Sequence, residues 1–202
     1  ANWLNSGDGN DVIIGDAGND TIVGGSGDDS VDGGIGTDLL IESGNISFVL
    51  SDTALSSDLG DDTLANVELA RLTGGVSGNL LDASGFSGAV TLDGGLGDDT
   101  LRDGAGDDRL FGGPGNDVYQ LRAVGNDVVS ELAQAGNDTL DYSLAVAGVS
   151  IDLTNAKQQW LRIGHRLTTG GEVERFVGSS LSDIVTTSFD LPGIRNFDGG
   201  VN

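Results

Sequence analysis

Residues 6–41 are four nine-residue units laid end to end: SGDGNDVII, GDAGNDTIV, GGSGDDSVD and GGIGTDLLI. Any fold for this chain has to accommodate that period. The sixth place is always Asp (Asp11, Asp20, Asp29, Asp38) and the fourth always Gly (Gly9, Gly18, Gly27, Gly36). The eighth is a large aliphatic (Ile13, Ile22, Val31, Leu40). The pattern returns at 94–120 as GGLGDDTLR, DGAGDDRLF and GGPGNDVYQ, with Asp99, Asp108 and Asp117 in register.

Glycine at the first, second and fourth places permits the positive φ angles and close backbone approach of a tight turn. An aliphatic at place eight, between small or β-branched residues, suits a short strand with one side chain turned inward. Each unit therefore reads as a turn followed by a strand. Two units, 18 residues, make one coil with strands on opposite walls. Strands one coil apart stack about 4.8 Å from each other, so the Asp of one unit lies over the Asp two units on. Bare carboxylates stacked in this way repel, and a proton or a cation relieves them. A hard dication is the better remedy, because carboxylates and turn carbonyls supply the roughly six to eight oxygens that calcium takes. The expected pairs are Asp11 with Asp29, Asp20 with Asp38, and Asp99 with Asp117.

These units resemble GGxGxDxUx, the calcium-binding nonapeptide of the RTX (repeats-in-toxin) family. Seven in-register copies carry the resemblance, where a single GGxGxD would say little. It implies an all-β, right-handed parallel β-roll, a β-helix solenoid, with roughly three to six calcium ions between successive turns. It also implies ligands from the turn carbonyls around Gly7, Gly9, Gly18, Gly25, Gly27, Gly34 and Gly36, then Gly95, Gly97, Gly104, Gly106, Gly113 and Gly115. Export by a type I secretion system belongs to the same resemblance. Rival readings of the glycines fit poorly. A phosphate loop needs a following helix and usually a Lys, whereas here each Gly run meets Asp and a β-like triplet. An EF-hand fails on its D-x-D-x-D-G spacing and bidentate Glu. A disordered Gly/Asp linker fails on the regular apolar eighth place.

Lys plus Arg total 9 against 32 Asp plus Glu, a net charge of −23. Nucleic acid and anionic membranes are thereby disfavoured as partners, and the chain resists compaction until cations arrive. No apolar run is long enough to insert in a bilayer, and there is no cysteine to form a disulfide. Acidity with calcium sites suits an extracellular or cell-surface setting, where calcium is millimolar and weak sites fill. The absence of a signal peptide is expected of an RTX protein, whose export signal lies at the far C-terminus of the full chain.

In order, residues 1–41 form the first calcium-binding block, with Trp3 expected to cap its open end. Residues 42–93 are expected to continue as larger coils, mostly free of metal: ISFVL (46–50) is a strand, Asp62 a degenerate turn with Gly60 and Leu64 in place, Asn79 stands at an Asp position, and AVTLD (89–93) leads onward. The second block with its degenerate continuation covers 94–141, where Asp127 and Asp138 follow after bulged spacings; Asp127 is a further candidate ligand opposite Asp108. Residues 142–202 are a second interlude whose Asp183 matches Asn79, and whose DGG at 198–200 opens another repeat. The chain thus reads as a slice of a longer array, with neighbouring repeats of the parent chain as partners.

One compositional break, 155–175, holds Lys157, Arg162, Arg166, Arg175, His165 and Trp160. It reads as a β-hairpin shielding one wall, its basic residues answering the acidic turns. The alternative is a projecting loop that contacts an acidic or sugar partner. No catalytic constellation assembles: one His excludes H-E-x-x-H proteases, and neither a G-x-S-x-G elbow nor a Cys nucleophile is present. The sequence therefore points to a non-enzymatic, calcium-dependent structural module of a large secreted protein. A polysaccharide- or cell-surface-binding adhesin module stays open beside it, as does a stiff spacer.

Overall fold

The structure is a computed structural model. It describes residues 1–122, 124–130 and 136–145, and beyond them the backbone of six short strands. The first block supplies β1 (Trp3–Asp8), β2 (Val12–Ile14), β3 (Thr21–Ser26), β4 (Ser30–Asp32) and β5 (Leu39–Ser43). Residues 42–93 supply β6 (Phe48–Ser51), β7 (Ala54–Ser57), β8 (Gly60–Ala65), β9 (Leu69–Thr73), β10 (Leu80–Gly85) and β11 (Ala89–Asp93). β12 (Thr100–Arg102), β13 (Arg109–Phe111), β14 (Val118–Gln120), β15 (Val128–Ser130) and β16 (Thr139–Asp141) form the second block. Then come β17 (Ser150–Asp152), β18 (Gln159–Trp160), β19 (Arg166–Thr169), β20 (Arg175–Val177), β21 (Ile184–Thr186) and β22 (Asn196–Asp198). No helix occurs among the described residues.

Successive strands of a block fall alternately on two walls. Wall one runs β1-β3-β5-β9-β11-β13-β15-β19-β18, and wall two β2-β4-β8-β7-β6-β10-β12-β14-β16-β20-β22. Pairing within the blocks is parallel; it is 18 residues apart between regular units, as in Ile13 with Val31 and Ile22 with Leu40, and widens where the repeat degenerates, as in Leu110 with Val129 and Tyr119 with Leu140. This is the parallel solenoid expected from the period of nine. The place-eight side chains fill the gap between the walls: Ile22, Leu40 and Leu110 are buried on one, Val31, Leu101 and Tyr119 on the other. In the most confined case the Tyr119 hydroxyl accepts the Gly112 N–H at 2.8 Å.

Two expectations need correction. Trp3 does not cap the roll; it lies in β1, the first strand of wall one, opposite Thr21, and is 66% exposed. Nor is 42–93 a plain run of larger coils. β6, β7 and β8 form an antiparallel meander, with Leu50 opposite Leu55 and Leu55 opposite Asp62. Wall two thereby gains two strands that wall one lacks. Within wall one the inward column also steps by two residues. Leu40 stacks on Ala70 and Val90, whereas Leu92 and Leu110 continue the line of Glu42 and Leu72.

Of the 155–175 segment, β18 and β19 pair antiparallel, Trp160 opposite Arg166, in keeping with a hairpin. Its side chains, and Lys157, Arg162, His165 and Asp183 altogether, lie outside the described residues.

Candidate metal centre

Each repeat Asp sits in the turn that enters a strand, and its two oxygens are used differently. Oδ1 accepts a main-chain N–H from the coil before. Asp29 takes that of Asp11 at 2.8 Å, Asp38 that of Asp20 at 2.7 Å, and Asp117 that of Asp99 at 2.8 Å. These are the three pairs expected from the spacing. The ladder continues where the repeat degenerates: Asp62 accepts from Asp29, Glu68 from Asp38, Asp127 from Asp108 and Asp138 from Asp117. In each of these carboxylates one oxygen is thus satisfied by the backbone, a bond the spacing of the Asp residues does not announce.

Oδ2 is a different matter. In Asp11, Asp20, Asp29, Asp38, Asp99 and Asp117 it is buried without a hydrogen-bond partner. An ionised oxygen left so is costly. The first-place glycines keep the space beside it open. A Cβ on Gly15 would lie 3.0 Å from Asp20 Oδ2, and one on Gly24 2.8 Å from Asp29 Oδ2. Gly33 and Gly94 stand in the same relation to Asp38 and Asp99. An orphaned carboxylate oxygen facing a cradle that a single methyl would fill fits a hard cation. Among the described residues no three His, Cys, Asp or Glu side chains converge on one point. A cation here would therefore complete its shell from main-chain oxygens and water.

The second- and fourth-place glycines do two jobs. Gly25 and Gly27 have φ of +97° and +126°, a region disfavoured for other residues. Gly36 and Gly115 are not so constrained; a Cβ on either would overlap the carbonyl oxygen of Gly18 or Gly97 one coil before. Close stacking of turns, more than φ, demands glycine there.

Asp108 and Asp127, candidates from the sequence, stand apart from the six. Asp108 Oδ1 accepts from Val90 and Oδ2 from Gly104, both at 2.8 Å. Three buried carboxylates were missed, Glu42, Asp82 and Asp103; Asp82 pairs with the Arg102 guanidinium at 2.7 Å. Glu42 and Asp103 both occupy the first place, where most units carry Gly. Glu42 accepts from Gly24 at 2.7 Å and from Gly25 at 3.2 Å. Asp103, fully buried, takes the Arg122 N–H with both oxygens, at 3.1 and 3.0 Å. The signal was present as an acid in a glycine position. Place five was overlooked too: Asn10, Asp28, Asp98 and Asn116 accept N–H groups from the following coil, reciprocating the Asp ladder.

Burial dominates the electrostatics. It pushes the carboxyl of Asp103 up to about 8, Asp127 to about 7 and Asp117 to about 6, with neighbouring carboxylates adding to the effect. Glu42, Asp62, Asp99 and Asp108 are raised for the same first reason, desolvation. Burial thus works against the ionised form in each of these turns, and a nearby positive charge relieves it.

Fold and turns together define a parallel β-solenoid whose stacked loops present carboxylates suited to a hard cation. The family model for the RTX calcium-binding nonapeptide repeat matches residues 5–40 and 84–119, with four copies. Within these two blocks the chain carries RTX-type calcium-binding repeats. The second match starts at 84, ahead of the first regular unit at 94, and so takes in β11. Among solved structures the chain is similar to the extracellular lipase LipA from Serratia marcescens, at 18% identity and a TM-score of 0.24. That alignment covers 80% of this chain and 36% of the lipase, so the chain spans about a third of that structure's length. No curated protein matches the chain.

Proposed function

We propose that the chain is a folding switch: a segment of a larger exported protein that stays open where calcium is scarce and closes into a roll where it is plentiful. The observation that carries this is the set of six buried Oδ2 atoms without partners. Calcium would be held by Asp11, Asp20, Asp29, Asp38, Asp99 and Asp117 with the main-chain oxygens of their glycine turns. Without it, these buried anions and the net charge of −23 oppose compaction. With it, successive turns are bridged and the inward aliphatics close a thin core. Binding to the folded state alone stabilises it by roughly 2.7 kcal/mol per site at a hundredfold ligand excess. A few sites therefore rival the whole stability of an ordinary domain, about 5–15 kcal/mol. The role is structural and extracellular, with stabilisation of adjoining parts of the parent protein as its consequence.

Far-UV circular dichroism during a calcium titration from chelated protein tests this, with magnesium as control. The expected result is a coil-to-β transition in calcium and none in magnesium. A β spectrum complete in chelator would overturn the switch.

A further inference from the structure

Glu42 is an acid in a glycine place, and its side chain is buried in the roll. It stands one coil above Gly24, 18 residues on, in the inward column that Leu72 continues. We propose that Glu42 and Asp29 together hold a calcium ion where the first block meets the β6–β8 meander, more tightly than the regular turns hold theirs. The inference rests on the calcium reading of those turns and adds a ligand that the nonapeptide does not contain.

The cradle beside Gly24 differs from its counterparts. At Gly15, Gly33 and Gly74 a Cβ would overlap the carbonyl oxygen of Gly33, Asn66 and Gly94 respectively, one coil on. A neutral main-chain oxygen closes those cradles. At Gly24 the three nearest atoms all belong to two carboxylates. Asp29 Oδ2 lies 2.8 Å from the Cβ position, Glu42 Oε1 3.3 Å and Asp29 Cγ 3.8 Å. Asp29 is 2% exposed, and that Oδ2 has no hydrogen-bond partner. A buried, partnerless anion and a second carboxylate thus face the same small space.

Glu42 is held there by the turn itself. Its Oε1 accepts the Gly24 N–H at 2.7 Å and the Gly25 N–H at 3.2 Å. A carboxylate has about four lone-pair sites, so these two bonds aim the group and leave capacity for a cation. No basic side chain supplies that charge: among the described residues no ion pair involves Glu42, Asp29 or Asp62. Asp62, also buried, accepts the Asp29 N–H at 3.0 Å and adds negative charge beside the cradle. From the following coil the register sets Leu72 over Glu42, so no polar partner arrives on that side. Calcium affinity rises with the number of charged ligands. A carboxylate in place of a carbonyl therefore makes this the site that fills first, tying β5 to the turn that enters β4.

Calcium titrations of the full chain by isothermal calorimetry test this, comparing the wild type with Glu42→Gln and Asp38→Asn. Gln keeps an acceptor for the Gly24 and Gly25 N–H groups and removes the charge. Glu42→Gln is expected to weaken the tightest binding step about tenfold or more, whereas Asp38→Asn weakens a later one. An unchanged tightest step in Glu42→Gln, with binding impaired in Asp38→Asn, overturns the inference and leaves the calcium reading standing; Glu42 then only caps the turn. If neither variant alters binding, the calcium reading falls and the inference with it. Should Glu42→Gln fail to fold, anomalous scattering from calcium-grown wild-type crystals decides. A calcium peak about 2.5 Å from both the Asp29 and Glu42 carboxylates supports the inference, and a peak that Glu42 does not touch overturns it.

Discussion

At Asp29 the two carboxylate oxygens meet different demands: Oδ1 accepts the Asp11 N–H at 2.8 Å, while Oδ2 is buried and unpartnered. Asp29→Asn separates the two. The amide keeps an acceptor for the N–H but presents no anion to a cation. The fold should therefore survive in saturating calcium, while affinity at that turn drops about tenfold or more, some 1.4 kcal/mol. Titration calorimetry reads this, and an unchanged isotherm would remove Asp29 from the site. Gly36 tests the stacking itself. Its methyl would overlap the Gly18 carbonyl oxygen, which is backbone and cannot move aside. Gly36→Ala should cost about 1–3 kcal/mol as overpacking, seen as a lower urea midpoint in saturating calcium. Asp16 shows the complementary case, occupying a second place at φ +66°, where an Asp is tolerated.

The β6–β8 meander differs from the coils around it in how it holds together. Its pairing is antiparallel and local, and it buries Phe48, Leu50 and Leu55 without needing a carboxylate turn between its strands. In chelator its amides should be the slowest to exchange with deuterium, and those of β2 and β4 should gain protection only on adding calcium. Uniform exchange across these strands would contradict that division. Here the limits of the sequence become plain. The blocks were legible because a nine-residue period fixes wall, register and inward side chain at once, so Ile13, Val31 and the three Asp pairs followed directly. The strand at 46–50 and the turn at Asp62 were legible as well, but not their direction. Nothing in SDTALSSDLG marks a reversal, since neither turn carries an Asn-Gly or Gly-Gly signal. Asp103 and Glu42 were visible as acids in glycine positions, but the groups that receive them come from neighbouring coils. Arg122 reaches Ser84 across 38 residues, a contact no periodicity announces.

Across the whole molecule, protons and calcium compete for one set of buried anions, and this gives the roll opposite pH responses with and without metal. Burial raises Asp117 to about 6, Asp127 to about 7 and Asp103 to about 8, against an ordinary 3.8. At a pH between 3.8 and those values, the folded chain retains protons that the unfolded chain has released. Linkage then makes the metal-free fold most stable at or below the lower bound, with stability lost as pH rises through 6 to 8. In chelator, β signal should grow on acidification from about pH 8 to about pH 5, because protons do part of the work assigned to calcium. Relief of the −23 net charge acts in the same direction, so a variant is needed to separate the two. Asp103→Asn stays neutral in both states and should flatten the upper part of that curve, near pH 8, while leaving the remainder. With calcium present the sign reverses: below about pH 6 the proton competes at Asp117, and the calcium midpoint should move to higher concentration. Circular dichroism at fixed pH steps, in chelator and across calcium titrations, reads both limbs. A metal-free fold indifferent to pH over this range would mean that the buried carboxylates are satisfied some other way, and the calcium switch would lose its driving force.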